Sequence, residues 1–505
     1  MNCKDFILNN YIKILLFLII FLQFLQLYYW INTHDINPAF DEAWHLSNTL
    51  YYQRFFSDLH VSSQDLASHY PIFGYAFNYY NHPNLFYIVS SFLSLDYPQI
   101  LYINLLFLTI LIIGVYSIGS YLFDKNVGLF AAFLISVFPL TLGLSRNYLL
   151  DLPLASIVVI EIYLLLKSVN FSDKKYTYLF ILFFLIGITL KRSFLIFVLP
   201  LIIYYLIKFF RNKYNINYKK YIIFMIFLSF IFIYYNFWNF LEVISRFFNF
   251  SFKIDNFLEY FNLLISELSF FLFFIVLVAL VLYLKKPFKS KIILFMATPI
   301  FIFYLLDIWF ESRYTLPYFY VFALIIAKGF FSIKNNFLRK FLIFIVIIIS
   351  LVQFISISYG IDLNQKSFKI GSDSFTILKK DLSKVYFSSF EKGKDRIVIP
   401  VILNIVNSSV IDSSRICIIA HSTQFNDINL PFYAIYHNYN FNYMVGNGCN
   451  PLNYDFILYK PFNNGSSFRI PSFLNSEKFL FNNLDNFELI SNFSNSEFIY
   501  KRKAL

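Results

Sequence analysis

Glycine is scarce in this chain, with 13 in 505 residues. No glycine-rich pattern of the kind that cradles a phosphate occurs, which argues against nucleotide loops. Charge is scarce as well: Asp, Glu, Lys and Arg make up 14% of the residues, against about 25% in soluble domains. That excludes an ordinary cytosolic enzyme. Cysteine appears three times, with no CxxC and no His/Cys cluster at zinc spacing. What is abundant is apolar surface: 58% of residues are hydrophobic and the mean hydropathy is +0.61. Disorder is excluded on the same count. The 69 Phe and 40 Tyr, beside plentiful Ile, Asn and Lys, fit an AT-rich codon bias and carry little functional weight. The composition is that of a polytopic α-helical membrane protein.

A transmembrane helix needs about 20 predominantly apolar residues. On that basis the sequence predicts eleven spans, near 13–31, 99–122, 127–143, 152–168, 177–190, 195–210, 221–238, 269–284, 292–308, 316–328 and 341–359. The first lacks a small-residue cleavage site after it and reads as an anchor rather than a removed signal peptide. The apolar stretch 84–95 is too short to span and reads as an interfacial helix. Threading the membrane places 19 Lys and Arg in one set of segments and 7 in the opposite membrane-domain loops, the other 15 of 41 lying after residue 359. The positive-inside rule then puts the N-terminus in the cytoplasm, and the loop 32–98 and the tail 360–505 outside. The net charge of +12 therefore reports topology and anionic headgroups rather than nucleic acid. The expected organisation is a transmembrane domain over 1–359, with 32–98 as a functional outer loop, and a small extracytoplasmic α/β domain over 360–505. In that tail the runs 415–420 and 454–459 read as buried strands and 430–439 as a helix. Cys417 and Cys449 share it, so a disulfide and two free buried thiols are both open; Cys3 falls on the cytoplasmic side.

Polar residues gather on the outer side, at loop–helix junctions. The first loop carries PAFDEAWHLSNTLYYQ, with Asp41, Glu42 and His45. A helix starting after Pro38 puts Asp41 and His45 four apart on one face, although an acid there also serves a helix start through capping and the macrodipole. YYNHPNLF follows with His82, where a plain turn is the alternative. SRNYLLDLPL brings Arg146 and Asp151, the latter ahead of Pro153, which again fits a helix start. TLKRSFL brings Lys191 and Arg192, either snorkelling to headgroups or clamping a phosphate. FESRYTLPYF brings Glu311 and Arg313, which a local ion pair would explain. Glu161 lies within the fourth span, where pairing inside the bundle is the simpler account. All five outer features open to one side of the membrane. An acid to deprotonate an acceptor, beside cations that hold a phosphate leaving group, is what glycosyl transfer from a lipid phosphate requires.

In their order along the chain, FDEAWH, NHPN, SRNYLLDLPL, TLKRSF and SRYTLPYF resemble the motifs of the GT-C superfamily of integral-membrane glycosyltransferases. The similarity is to the branch of protein O-mannosyltransferases and lipid A aminoarabinose transferases and covers about 10–330. It implies that Asp41 is the catalytic carboxylate, that Glu42 is its neighbour in the motif, and that Asp151 is a second acid near the site. It further implies that Lys191 and Arg192 hold the donor phosphate with Arg313 assisting. His45, His82 and Arg146 are further candidates. Two departures stand out: the family's TKG reads LKR here, and its HPP-type turn reads HPN.

The expected activity is inverting transfer of a sugar from a polyprenyl-phosphate-linked donor to an extracytoplasmic lipid, glycan or protein, in the plasma (inner) membrane. A divalent cation near Asp41 is an open option, but the sequence shows no complete ligand set. A transporter or lipid flippase is the main rival. It would call for inverted repeats and midplane polar residues, whereas here the ionisable groups crowd the outer boundary. A scaffold presenting the tail to partners is the second rival, and it would need none of these charges.

Overall fold

A computed structural model describes residues 3–33, 38, 40–57, 85–93, 97–191, 193–211, 264–265, 267–284, 291–305, 312–359, 361, 368–370, 373–375, 401–402, 404–405, 415–420, 433, 442–445, 451–460, 471–492 and 498–503. The chain divides into two compact units, one of Met1–Ile31 with His60–Ser389 and one of Asn32–Leu59 with Phe390–Leu505.

The first unit is helical. Its helices are α1 (Cys3–Thr33), α3 (Leu85–Ser91), α4 (Ile103–Leu122), α5 (Lys125–Val137), α6 (Pro139–Leu144), α7 (Asp151–Lys167), α8 (Lys174–Leu190), α9 (Phe194–Arg211), α10 (Phe270–Leu284), α11 (Lys291–Leu305), α12 (Phe319–Phe331) and α13 (Asn336–Tyr359). A 3-10 turn, Ser312–Tyr318, leads into α12, and a two-stranded antiparallel ribbon joins β1 (Phe368–Ile370) to β2 (Asp373–Phe375). Among the described residues, four segments are long and apolar enough to cross a membrane: Asn10–Thr33, Gln99–Leu122, Arg313–Phe331 and Asn336–Tyr359. The other expected spans fall on shorter helices, and the one at 221–238 lies outside the described residues.

Burial separates lipid-facing helices from central ones. Along α1, Phe17, Phe21, Phe24 and Tyr28 stack at centroid spacings of 6.1, 6.4 and 6.0 Å, and all four are exposed. Phe337, Phe341 and Phe344 are exposed on α13, the first two stacked at 6.2 Å. A soluble protein does not leave apolar faces of this extent in water, so these faces meet the bilayer. Almost every residue of α7 is buried, by contrast, and α7 packs against α4, α8, α9 and the 3-10 turn. The crossing of α4 and α5 is close because Gly119 meets Gly128, where an added Cβ would stand 2.7 Å from the Gly128 Cα. Small residues allow such approach without a hydrophobic drive between helices.

Local chemistry sets the helix ends. Asp124 accepts from the N–H groups of Asn126 and Val127, both at 3.0 Å, and starts α5; Asp173 accepts from Tyr176 at the start of α8. The expected single span over 127–143 is two helices. Phe138 is extended (φ −62°, ψ 134°) and Pro139 opens α6, because a residue before proline is pushed out of the helical region.

The second unit holds α2 (Phe40–Ser57) and a five-stranded sheet of β3 (Arg415–Ala420), β4 (Asn442–Val445), β5 (Phe456–Lys460), β6 (Phe487–Asn492) and β7 (Phe498–Arg502), with α14 (Pro471–Asn482). The order is β4-β3-β5-β7-β6. The β3 strand runs parallel to β4 and β5, while β7 is antiparallel to β5 and β6. Cys417, Ile419, Tyr454, Ile457, Tyr459, Leu480 and Phe487 form its core. The strand expected at 415–420 is β3, and the one expected at 454–459 starts at Phe456 because Pro451–Asn453 forms a 3-10 turn. Of the helix expected over 430–439, only Tyr433 is described. Cys417 is disulfide-bonded; Cys449 lies outside the described residues.

Candidate active site

The site is built on the start of α7. The turn 145–150 brings the chain to Asp151, the first residue of the helix. An acid there is favoured by the helix dipole, yet it caps nothing: Leu150 holds the cap position without a side-chain bond. The Asp151 carboxylate instead accepts from Lys191 Nζ at 2.6 Å and lies 3.9 Å from Arg313 Nε through its other oxygen. All three residues are buried, with side-chain exposures of 1%, 9% and 6% for Asp151, Lys191 and Arg313. The alternatives of a helix cap for Asp151 and of snorkelling for Lys191 thus give way to one cluster drawn from three distant segments.

Each cation has a local reason to be there. Lys191 ends α8 in extended conformation, its N–H bonded to the Gly187 carbonyl at 3.2 Å. A Cβ on Gly187 would collide with the Phe194 ring, so that glycine lets Phe194 fold across α8 directly after Lys191. Arg313 is carried by the 3-10 turn, which packs on α7. Between the two cations lies Tyr314, half-buried, with Lys191 Nζ 4.8 Å and Arg313 Cζ 5.0 Å from its ring centroid. Its hydroxyl accepts from Arg313 Nη2 at 3.2 Å. The ring's negative face favours both cations.

Arg146 is also buried, but it points elsewhere. Its Nε and Nη2 donate to Gln26 Oε1 at 3.0 and 2.8 Å, and its Nη1 donates to the Ile357 carbonyl at 3.1 Å. The guanidinium lies 5.1 Å from the Trp30 ring centroid. Asn104 supports the same turn by donating to the carbonyls of Ser145 and Asn147. Arg146 thereby ties α1 and the end of α13 to the turn that delivers Asp151.

The other acidic motif lies in the second unit. Helix α2 starts at Phe40, as the position of Pro38 predicts, with Asp41 and Glu42 in its first turn. Asp41 is half-buried, whereas Glu42 and His45 are buried. Glu42 and His45, three apart, are thus both covered, while Asp41, four before His45 on the same helix, is partly exposed. Trp44 lies edge-on to His45 at 5.2 Å. Burial pushes the Tyr52 phenol, further along α2, up to about 12. His82, Arg192 and Glu311 lie outside the described residues. The Glu161 carboxylate is wholly buried in α7, and no hydrogen-bond partner for it occurs among the described residues, so the partner expected within the bundle is not found there.

Two residues beside the cluster escape sequence reasoning. One is Tyr314, inside the SRYTLPYF motif. The other is Glu267, fully buried, whose Oε2 accepts from Thr315 Oγ1 at 2.9 Å. The available signal for Glu267 is a lone acid immediately ahead of the apolar run of α10. Among the described residues no three His, Cys, Asp or Glu side chains group as metal ligands, and both Asp151 oxygens face cations. The residues on view do not form a site for a divalent ion.

Comparison with known proteins gives a concordant result. Residues 81–235 match the family described as dolichyl-phosphate-mannose-protein mannosyltransferase, a range that includes Asp151 and Lys191 but neither Asp41 nor Arg313. No curated protein matches the chain by sequence. Among solved structures, ArnT from Cupriavidus metallidurans in the apo state is similar in fold, with a TM-score of 0.56 at 10% identity over 96% of this chain and 97% of that one. The chain is thus similar over 81–235 to a family of membrane mannosyltransferases and in fold to ArnT.

Proposed function

We propose that the chain is an inverting glycosyltransferase that moves a sugar from a polyprenyl-phosphate-linked donor to an extracytoplasmic lipid, glycan or protein. The observation that carries this reading is the buried meeting of Lys191 and Arg313 on Asp151. Buried ion pairs of this kind are poor devices for stability alone, because desolvation offsets the attraction. Two cations held at a helix start are, in contrast, a prepared receptor for phosphate oxygens. The family matched over 81–235 takes its name from a lipid-phosphate sugar, which favours the same donor class.

In the proposed reaction an acceptor hydroxyl or amine attacks the anomeric carbon. The new bond forms as the bond from that carbon to the phosphate oxygen breaks, and the electron pair leaves with the lipid phosphate. Lys191 and Arg313, with Arg192 as a third cation, meet the charge that develops on that phosphate, where prealigned donors are most effective. Asp151 keeps Lys191 and Arg313 together when no phosphate is present. The acceptor's proton passes to Asp41, with Glu42 beside it in the motif. His45 and His82 remain candidates for contacts to donor or acceptor. Attack opposite the leaving group inverts the anomeric centre.

The same reading has about eleven spans, a cytoplasmic N-terminus, and the loop 32–98 and the 360–505 domain outside the plasma membrane. The disulfide at Cys417 fits an oxidising compartment for that domain. The test is mass spectrometry of envelope glycolipids and glycoproteins from a deletion strain complemented with wild type or Asp41→Asn. Loss of one sugar from one glycan, restored by wild type alone, is the expected result. Restoration by both versions overturns the assignment of Asp41. An unchanged profile in the deletion strain, with lipid transport by the purified protein in vesicles, favours a flippase.

A further inference from the structure

We infer that Glu267, acting through Thr315, is a positioning residue that sets Arg313 for the donor phosphate. The inference rests on the proposed function and deepens it. The contact between Arg313 and Asp151 is long, 3.9 Å, whereas a charge-assisted hydrogen bond is about 2.7–2.9 Å. Lys191 is held by Asp151 at such a distance; Arg313 is not. The turn that carries Arg313, which also supplies the Tyr314 hydroxyl at 3.2 Å, therefore shares in setting its position.

That turn has a buried anchor. Thr315, two residues after Arg313, is buried and donates its hydroxyl to Glu267 Oε2 at 2.9 Å. Glu267 is itself fixed by the corner that follows. Ser269 has a left-handed backbone (φ 74°), a conformation that non-glycine residues adopt at a cost and that clusters at functional sites. Its hydroxyl donates to Gln353 Oε1 on α13 at 2.6 Å and accepts from Leu272 N–H in the first turn of α10 at 3.4 Å. Glu267 thus stands on a corner braced by α10 and α13, and Thr315 transmits that brace to the turn. Such an arrangement leaves the guanidinium of Arg313 able to turn from Asp151 towards a phosphate oxygen while its backbone stays in place. A hydroxyl needs only an acceptor from Glu267, so the amide oxygen of a glutamine serves the same purpose.

The experiment measures binding of a polyprenyl monophosphate to the purified full-length protein by native mass spectrometry, together with donor and acceptor KM for sugar transfer. Thr315→Val, which keeps the shape of the side chain, and Glu267→Ala should each weaken binding and raise donor KM about tenfold, the effect of one buried hydrogen bond. The double variant should be no worse than either single one, with acceptor KM unchanged. Glu267→Gln and Thr315→Ser should stay near wild type. Wild-type binding with equal binding by Thr315→Val overturns the inference alone. So does a Glu267→Gln variant as impaired as Glu267→Ala, since the charge rather than the anchor would then matter. Wild type that binds the lipid phosphate without transferring sugar, while Thr315→Val binds weakly, overturns the proposed function and leaves the positioning role standing. Wild type that does not bind the lipid phosphate overturns both.

Discussion

Asp151 and Asp41, both in the first turn of a helix, end in opposite surroundings. Asp151 opens α7 and is buried against Lys191 and Arg313. Asp41 lies in the first turn of α2 and stays half-buried, while its neighbour Glu42 turns inward. The local signal is the same at both, an acid favoured by the positive end of a helix. Tertiary context decides what each can do. An acid locked between two cations is committed to them. An acid with partial solvent access at a helix start stands where an incoming acceptor can reach it. The contrast divides the labour of the proposed reaction: phosphate at α7, proton at α2.

The sharpest way to break that contrast is to neutralise each acid in turn. Asp41→Asn should lower turnover by about 10²–10⁴-fold, the contribution of a positioned general base, and leave stability within about 0.5 kcal/mol, as for a partly exposed position. Lys191→Met should act on stability, because it takes from a buried carboxylate its close partner and leaves it the longer contact to Arg313; unfolding in detergent should show a loss of about 3–5 kcal/mol. Replacing Asp151 and Lys191 together by apolar residues of similar volume should recover most of that loss, with no return of activity. The smallest effect is expected at Gly187→Ala, where a Cβ meets the Phe194 ring. Overpacking there should cost about 1–3 kcal/mol and raise donor KM by displacing Lys191.

Much of the membrane unit was legible because apolar run length and proline placement are local properties. The helices α1, α4, α7, α8, α9, α10 and α13 lie where the hydropathy puts them. The break at Phe138 was legible too, in the proline that follows it, but a search by hydropathy alone passes over a single extended residue. The charged junctions were visible as types and positions, and Asp151, Lys191 and Arg313 do meet. Their meeting was not derivable from spacing, since it joins residues 40 and more than 100 positions apart by packing α8 and the 3-10 turn on α7. Arg146 shows the limit from the other side: its motif neighbour is Asp151, but its partners are Gln26 and the Ile357 carbonyl, set by helices distant in sequence. Glu267 was hidden because a lone acid before an apolar run resembles a helix start, and only the Thr315 contact reveals its partner.

The most direct test of the divided labour is steady-state transfer from a polyprenyl-phosphate-linked sugar, comparing wild type, Asp41→Asn and Lys191→Arg in purified full-length protein. The account predicts that Asp41→Asn lowers kcat with donor KM unchanged, and that Lys191→Arg, which keeps the charge but alters the geometry, raises donor KM. Full turnover by Asp41→Asn, or a donor KM indifferent to Lys191→Arg, would contradict it.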